Sequence, residues 1–248
     1  MNISLIGYGN MGHEIEKAAK AKGINVKSIV DISDKNATHK EINDESMRNV
    51  DVCIDFTNPN AVIENIKQIS KFKKNIVVGT TGWYEKTDEA KRIVKKNNIG
   101  LIYASNFSIG VNVFFKLIEN AAKIIDRINA YDVYGYELHH SKKADSPSGT
   151  AKSIGEILIR NIKRKNRLLF DKIDRKIEPN ELHFASVRAG SIPGTHVVGF
   201  DSSADTIELK HTARNREGFA LGAVMAAQWI NGRKGFYSIG DMVRSIMS

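Results

Sequence analysis

The stretch Gly7-Tyr8-Gly9-Asn10-Met11-Gly12 decides how the first half of the chain folds. Its glycines have the spacing G-x-G-x-x-G, which lets the backbone approach a dinucleotide pyrophosphate at the start of a helix. An apolar run at residues 3–6 precedes it as a strand, and Met11, Ile15 and Ala19 follow at helical spacing. The stretch therefore predicts a nucleotide site at the first turn of a βαβ unit.

An acidic residue stands where this fingerprint requires one. Asp31 ends the second predicted strand, about 20 residues after the glycines, where a carboxylate binds the ribose hydroxyls of NAD. Neither Ile32 nor Ser33 is an arginine that would bind the 2′-phosphate of NADP, although Lys35 is near. The sequence predicts NADH and/or NADPH as the cofactor, and it favours NADH.

Repeated strand and helix patterns predict an α/β fold with two domains. Up to Gly110, apolar strands alternate with helices, which is typical of a Rossmann-like, doubly wound parallel sheet. After it, the pattern changes to a second α+β domain with a mostly antiparallel sheet. A last helix from Arg216 is expected to return to the parallel sheet. The expected domains are residues 1–109, completed by 216–248, and residues 110–215. In the second domain the predicted strands are residues 132–138, 182–188, 195–200 and 205–211.

Composition limits the other classes of protein. The 248 residues contain no apolar run long enough to span a membrane, and residues 1–6 do not have the pattern of a signal peptide, so a cytoplasmic protein is expected. The single cysteine, Cys53, excludes an intrachain disulfide, and no Cys/His spacing predicts a metal. The net charge is +9, and the basic residues responsible for it are scattered along the chain and often fall on predicted helix faces, so we expect no nucleic-acid partner. Such a surface favours an anionic cofactor and substrate.

A dense set of polar side chains marks the second half. The stretch Glu137-Leu138-His139-His140-Ser141-Lys142-Lys143-Ala144-Asp145-Ser146-Pro147-Ser148-Gly149-Thr150 takes a strand through a loop to the start of a helix, which Ser148 can cap. Helix-start N–H groups and lysine suit carboxylates, and histidine moves protons near neutral pH. A surface loop with incidental histidines is the simpler alternative, but the density of donors favours a site for a dianion.

This stretch resembles the E-x-H-H-x-x-K-x-D-x-P-S-G-T signature of dihydrodipicolinate reductases. Further resemblances follow in the family's order along nearly the whole chain. They are Asp55-Phe56-Thr57 with Pro59, Gly79-Thr80-Thr81-Gly82, Ala104-Ser105-Asn106-Phe107-Ser108 with Gly110-Val111-Asn112, Arg188 with Gly190, Gly194 and His196, and His211 with Ala213, Arg216 and Phe219. Two departures are Ser146, where alanine is more usual, and the missing arginine after Asp31.

The resemblance implies an NAD(P)H-dependent oxidoreductase of lysine and diaminopimelate biosynthesis. It reduces a small cyclic dicarboxylate and forms a homotetramer through the sheet of its substrate-binding and oligomerisation domain. His139 and Lys143 would be catalytic. His140, Lys143, Ser148, Gly149 and Thr150 would bind the substrate. The cofactor would contact Gly7, Tyr8, Gly9, Asn10, Met11, Gly12, Asp31, Gly79, Thr80, Thr81, Ala104, Ser105, Asn106 and Phe107.

Two alternatives share the glycine fingerprint. One is another two-domain NAD(P)-dependent dehydrogenase acting on a small amino-acid-like acid, which gives no reason for His139-His140 and Lys143 to occur together with Ser148-Gly149-Thr150. The other is a regulatory protein that senses the cofactor, for which we would expect a nucleic-acid-binding or interaction segment. No such segment is visible in the sequence.

Overall fold

The computed structural model describes residues 1–247. The chain divides into two compact units, Met1–Asn112 with the segment that begins at Arg216, and Val113–Asn215. The strands in chain order are β1 (Asn2–Ile6), β2 (Asn25–Val30), β3 (Val52–Asp55), β4 (Asn75–Val78), β5 (Gly100–Tyr103), β6 (Asp132–His139), β7 (Arg167–Leu169), β8 (Glu181–Arg188), β9 (Thr195–Asp201), β10 (Thr206–Thr212) and β11 (Gly235–Ser238). The helices are α1 (Asn10–Ala21), α2 (Val62–Lys71), α3 (Thr87–Asn97), α4 (Ile109–Ile125), α5 (Gly149–Asn161), α6 (Glu217–Ile230) and α7 (Ile239–Met247).

The described residues of the first unit form a six-stranded parallel sheet with the order β11-β5-β4-β3-β1-β2. Successive side chains of a strand point to opposite faces. On β1, Leu5 therefore packs with Ile15 of α1 and Val224 of α6 on one face of the sheet. Ile6 packs on the other face with Ile66 of α2, and α3 covers that face as well. The predicted Rossmann-like, doubly wound parallel sheet is confirmed, and α6, which comes from the later part of the chain, packs on one of its faces.

Strand β11 was not predicted from the sequence. It is a short edge strand that pairs in parallel with β5, and all four of its residues are half-buried. Neither the alternation of a one-sided strand nor the apolar run of a central strand marks it in the sequence.

The described residues of the second unit form a mixed sheet with the order β10-β9-β6-β8-β7. The pairs β10–β9 and β9–β6 are antiparallel, as predicted. We expected β8 to be antiparallel as well, which is wrong, because β8 runs parallel to β6 and to β7. The reason is the crossover connection through α5. It returns the chain to the end of the sheet at which β6 begins, so β8 runs in the same direction as β6. Residues of α4 and α5, among them Ile118 and Ile154, form the core of this unit with Phe184 and Phe200.

None of the helices in residues 1–247 is both long and apolar enough to cross a membrane.

Candidate active site

The three fingerprint glycines have different surroundings. Gly7 has a φ of +87°, and a Cβ there would lie 2.4 Å from the Phe56 carbonyl oxygen. A Cβ on Gly12 would lie 2.7 Å from the Gly7 carbonyl oxygen. At Gly9, by contrast, no atom of the described residues other than its immediate chain neighbours lies within 4 Å of a Cβ. The fold itself therefore requires Gly7 and Gly12, whereas the space beside Gly9, at the start of α1, is open for a ligand.

The carboxylate of Asp31 is held by backbone N–H groups. It accepts hydrogen bonds from Tyr8 N at 2.7 Å, Ser33 N at 2.8 Å and Asp34 N at 2.9 Å. Burial alone would raise the pKa of Asp31, but these hydrogen bonds and Lys40 lower it below its ordinary value. Asp31 is therefore a fixed negative charge beside the fingerprint loop, as the ribose-binding role requires.

A buried carboxylate joins the loops that follow β3 and β4. Asp55 accepts hydrogen bonds from the Thr57 hydroxyl at 2.8 Å, the Thr80 hydroxyl at 2.9 Å and the Asn65 amide at 2.8 Å. Burial raises the pKa of Asp55, and these hydrogen bonds oppose the rise. A Cβ on Gly79 would lie 2.0 Å from the Phe56 ring. These contacts fix the predicted Gly79–Thr81 loop at the carboxyl edge of the sheet, where open α/β sheets bind ligands.

A cleft of about 430 Å³ lies in the first unit, a size in the usual range of ligand sites. It brings six of the predicted cofactor residues together, whereas Gly7, Tyr8, Gly12, Asp31 and residues 104–107 lie outside its lining. The Phe107 carbonyl oxygen would lie 1.7 Å from a Cβ on Gly222, so α6 packs closely against the loop that follows β5. Arg216, for which no role was predicted, lines the cleft together with Gly9, Asn10, Met11, Phe56, Thr57, Pro59, Gly79, Thr80 and Thr81.

In the second unit, Glu137 and His139 lie on the same, buried face of β6. The strand register places Ser186 of β8 and His196 of β9 beside Glu137, and Arg188 beside His139. Glu137 Oε1 accepts a hydrogen bond from the Arg188 guanidinium at 2.7 Å, and Glu137 Oε2 lies 3.3 Å from His139 Nδ1 and from His196 Nε2. The fold thus builds a charged, largely buried cluster around the predicted catalytic histidine.

Ser148 is the N-cap of α5 and is buried. Its backbone N–H donates to Glu137 Oε1 at 2.9 Å, and its hydroxyl donates to Glu137 Oε2. The hydroxyl also accepts from Ala151 N at 3.1 Å, as predicted for a helix cap. The donors of Ser148 therefore have partners within the protein, and Gly149, at the exposed start of the helix, is the better placed residue for a ligand.

The other predicted residues lie near the end of β6. Lys143 donates a hydrogen bond to the Asp145 carboxylate at 2.6 Å, and the Asp145 carbonyl oxygen accepts one from Arg188 at 2.8 Å. His140 follows the strand, and its Nδ1 atom is buried without a hydrogen-bond partner among the described residues. Lys143, His140 and the start of α5 thus lie near the end of β6 in the second unit.

The surroundings of His139 favour the neutral ring. Burial lowers the pKa of His139 to about 4; Glu137 opposes the change, and His196, Lys143 and Arg188 add to it. Burial would raise the pKa of Glu137, but hydrogen bonds from His196, Ser148 and Arg188 bring it well below its ordinary range. At neutral pH the cluster therefore holds a carboxylate beside a neutral imidazole.

Within residues 1–247, Glu137, His139 and His196 are the group of acidic and histidine side chains whose ligand atoms lie close enough, within 4.8 Å, to hold a metal ion. The Glu137 carboxylate already accepts hydrogen bonds from Ser148 and Ser186, and the Arg188 guanidinium places a positive charge 2.7 Å from it. A cation beside that guanidinium would be repelled. We interpret the group as a hydrogen-bonded cluster.

Two models of known protein families match the chain. "Dihydrodipicolinate reductase, N-terminus" matches residues 1–107, and "Dihydrodipicolinate reductase, C-terminus" matches residues 110–243. The chain belongs to the dihydrodipicolinate reductase family. Among its relatives, the 4-hydroxy-tetrahydrodipicolinate reductase of Christiangramia forsetii is 40% identical over 247 residues, which are 99% of both chains. The enzyme of the same name from Buchnera aphidicola subsp. Schizaphis graminum is 40% identical over 98% of this chain and 84% of its own.

Solved structures show that the fold is that of dihydrodipicolinate reductase. A dipicolinate-bound dihydrodipicolinate reductase from Paenisporosarcina sp. TG-14 has a TM-score of 0.80 at 22% identity, over 98% of this chain and 99% of its own. A DAP dehydrogenase from C. glutamicum, in complex with DAP, has a TM-score of 0.55 at 13% identity, over 97% and 93% of the two chains. Because the fold is shared with a dehydrogenase of another name, the fold alone does not decide the activity.

For several residues around the site no role was predicted from the sequence, Arg188 and Asp55 among them. Arg216 lines the cleft, while Glu137 and His196 form the buried cluster under His139. The spacing of two between Glu137 and His139 could have indicated a shared strand face. His196 and Arg216 lie far along the chain from the residues they adjoin, so no local spacing could have indicated their places.

Proposed function

We propose that this protein catalyses the NAD(P)H-dependent reduction of 4-hydroxy-tetrahydrodipicolinate, by way of dihydrodipicolinate, to tetrahydrodipicolinate. This reaction is a step of diaminopimelate and lysine biosynthesis. The observation that carries the proposal is the group at the end of β6, where His139 and the start of α5 at Ser148 both adjoin Glu137, and His140 and Lys143 follow along the chain. The membership of the family agrees with it.

The first unit fits a pyridine nucleotide. The open space beside Gly9 is suited to the pyrophosphate, and the carboxylate of Asp31 is suited to the ribose hydroxyls. The cofactor, when bound, supplies the hydride. Asp31 repels a 2′-phosphate, and Ile32 offers no opposing charge, so we expect NADH to be used at least as well as NADPH.

The second unit fits the dicarboxylate. His140, Lys143 and the helix start at Gly149 and Thr150 present donors and positive charge to the two carboxylates. Ser148 fixes the start of this helix through its hydrogen bonds to Glu137. We therefore assign Ser148 the role of fixing the helix start, and not that of contacting the substrate directly.

The roles of His139 and Lys143 follow from the chemistry. Hydride addition at ring C4 moves an electron pair toward the ring nitrogen, and a proton must then reach carbon. We assign to His139 the exchange of that proton with the substrate, and to the ammonium of Lys143 the stabilisation of the developing negative charge and a second proton donation.

The test is the oxidation of NADH and NADPH, followed by the loss of absorbance of the reduced nicotinamide, with and without freshly made cyclic substrate. We expect oxidation to depend on the substrate, with NADH at least as effective as NADPH. Oxidation of neither nucleotide in the presence of the substrate would refute the proposal. Reduction of NAD⁺ by an amino acid would favour the alternative dehydrogenase.

A homotetramer in the cytoplasm remains a prediction. Val187 of β8 and Ile207 of β10 are large apolar residues that are nearly half exposed on the second sheet, and an interface on this sheet would cover them. Sedimentation velocity of the purified protein measures the assembly. A monomer at working concentration would contradict the prediction.

A further inference from the structure

Glu137 is a buried carboxylate whose two oxygens contact different sets of groups. Oε1 accepts hydrogen bonds from Ser148 N at 2.9 Å, the Ser186 hydroxyl at 2.9 Å and Arg188 at 2.7 Å. These donors come from the start of α5 and from β8, so Oε1 joins the two elements that flank the end of β6. Three donors leave Oε1 little further capacity.

The second oxygen, Oε2, faces the histidines. It accepts a hydrogen bond from the Ser148 hydroxyl and lies 3.3 Å from His139 Nδ1 and 3.3 Å from His196 Nε2. His196 Nε2 also lies 3.2 Å from the Ser148 oxygen, which gives a proton on that nitrogen two acceptors. His139 Nδ1 is buried and makes no hydrogen bond with any described residue, so its 3.3 Å approach to Oε2 is an electrostatic contact.

A buried nitrogen beside a carboxylate oxygen is stabilised when it carries the proton. If the proton of neutral His139 were on Nε2, the lone pair of Nδ1 would face the negative charge of Oε2. With the proton on Nδ1, the partial positive charge of that N–H group faces Oε2 instead. The other nitrogen, Nε2, lies on the side of Gly194, where even a Cβ would lie 3.0 Å away.

We propose that Glu137 is a positioning residue that holds neutral His139 with its proton on Nδ1 and so keeps Nε2 as the nitrogen that exchanges protons. In a turnover Nε2 takes a proton from solvent, gives it to the substrate and returns to its free state, while Nδ1 keeps its own proton. Through Ser148 the same carboxylate fixes the helix start. The kinetic consequence rests on the proposed function, whereas the position of the proton does not.

The direct test is the tautomer of His139 in the free, full-length protein, from the ¹⁵N shifts of histidine-labelled protein at neutral pH. His139→Gln assigns the signal. We expect protonated Nδ1 and unprotonated Nε2 in the wild type. In Glu137→Gln the side-chain amide group can donate toward Nδ1, so we expect the proton to move to Nε2. A wild-type ring with its proton on Nε2 would overturn the proposal.

Glu181→Gln is a matched control. Glu181 is also a buried carboxylate of this unit, held by Arg175 at 2.6 Å and Arg167 at 3.1 Å, at the opposite end of β8 from Arg188. We expect it to lower the thermal midpoint while it leaves the tautomer of His139 and the activity unchanged. The same effect of Glu181→Gln on the tautomer would show that general destabilisation moves the proton.

The kinetic test compares the same variants. Glu137→Gln is expected to lower kcat by about 10²-fold, the lower range for loss of general acid–base catalysis, with NADH affinity within about twofold of the wild type. Glu137→Asp keeps the charge and should recover part of kcat and retain the Nδ1 proton. It also serves if Glu137→Gln does not fold. Equal kcat in Glu137→Gln and Glu181→Gln would overturn the role, and inactivity of the wild type would refute the proposed function but not the tautomer.

Discussion

The backbone N–H of Tyr8 donates a 2.7 Å hydrogen bond to the carboxylate of Asp31. The bond joins the fingerprint loop to the end of β2, so the group that would bind the ribose also fixes the loop that would bind the pyrophosphate. The negative charge of Asp31 is therefore part of the architecture of this unit as well as a determinant of cofactor choice.

This arrangement predicts how to change the preference without removing Asp31. Ile32 follows it directly and is 84% exposed, so Ile32→Arg should leave the fold unchanged and offer a guanidinium to a 2′-phosphate. A charge-assisted hydrogen bond of about 1.5 kcal/mol corresponds to a rise of about tenfold in kcat/KM for NADPH relative to NADH. Ile246→Arg adds the same charge on α7 and serves as the control. An equal change in both variants would show that net charge alone is responsible.

The surroundings of the glycines predict that stability and cofactor binding can be separated. Gly9→Ala should keep or slightly raise thermal stability, because Gly9 has a φ of −76° and open space around it. It should weaken NADH binding by about tenfold or more, since the methyl group occupies the space for the pyrophosphate. Gly12→Ala should lower the free energy of unfolding by about 1–3 kcal/mol, because its Cβ meets a backbone oxygen. Calorimetry and NADH titration measure both effects. Unaltered NADH affinity in Gly9→Ala would contradict the assignment.

The predicted catalytic pair is tested by His139→Gln and Lys143→Met. Each should lower kcat by a factor of about 10² to 10⁴, the usual contribution of a general acid or base. Both residues lie in the second unit, so the affinity for NADH should not change. Lys142→Met is the matched control, since Lys142 is an exposed neighbour. Near-normal turnover of His139→Gln would remove that residue from the mechanism.

The lowered pKa of His139 predicts a loss of stability in mild acid. The unfolded chain takes up a proton on this ring below pH 6.5, whereas the folded ring resists it down to about pH 4. The free energy of unfolding should therefore fall as the pH decreases from about 6.5 to 4, and His139→Gln should reduce that slope. Some slope should remain because burial, with His196, also lowers the pKa of His211. Urea unfolding at a series of pH values measures it, and equal slopes in the two proteins would exclude His139 as the cause.

Sequence by itself determined most of the first unit. The glycine spacing, the carboxylate of Asp31 and the apolar strands are local patterns, because a tight turn and a buried parallel strand depend on a few consecutive residues. The cap of α5 at Ser148 is equally local, since one side chain binds an N–H group three residues further on. These features were predicted with nearly the observed bounds.

Tertiary structure alone decided the direction of β8, the presence of β11 and the cluster around Glu137. The direction of β8 depends on whether the chain between β6 and β8 crosses over the sheet or turns back directly. The edge strand β11 is stabilised more by its pairing with β5 than by the hydrophobic pattern of its own residues. His196 reaches Glu137 only because β9 pairs with β6 in one register. Burial, and not residue type, lowers the pKa of His139, because the protein replaces the water that would solvate the charged ring.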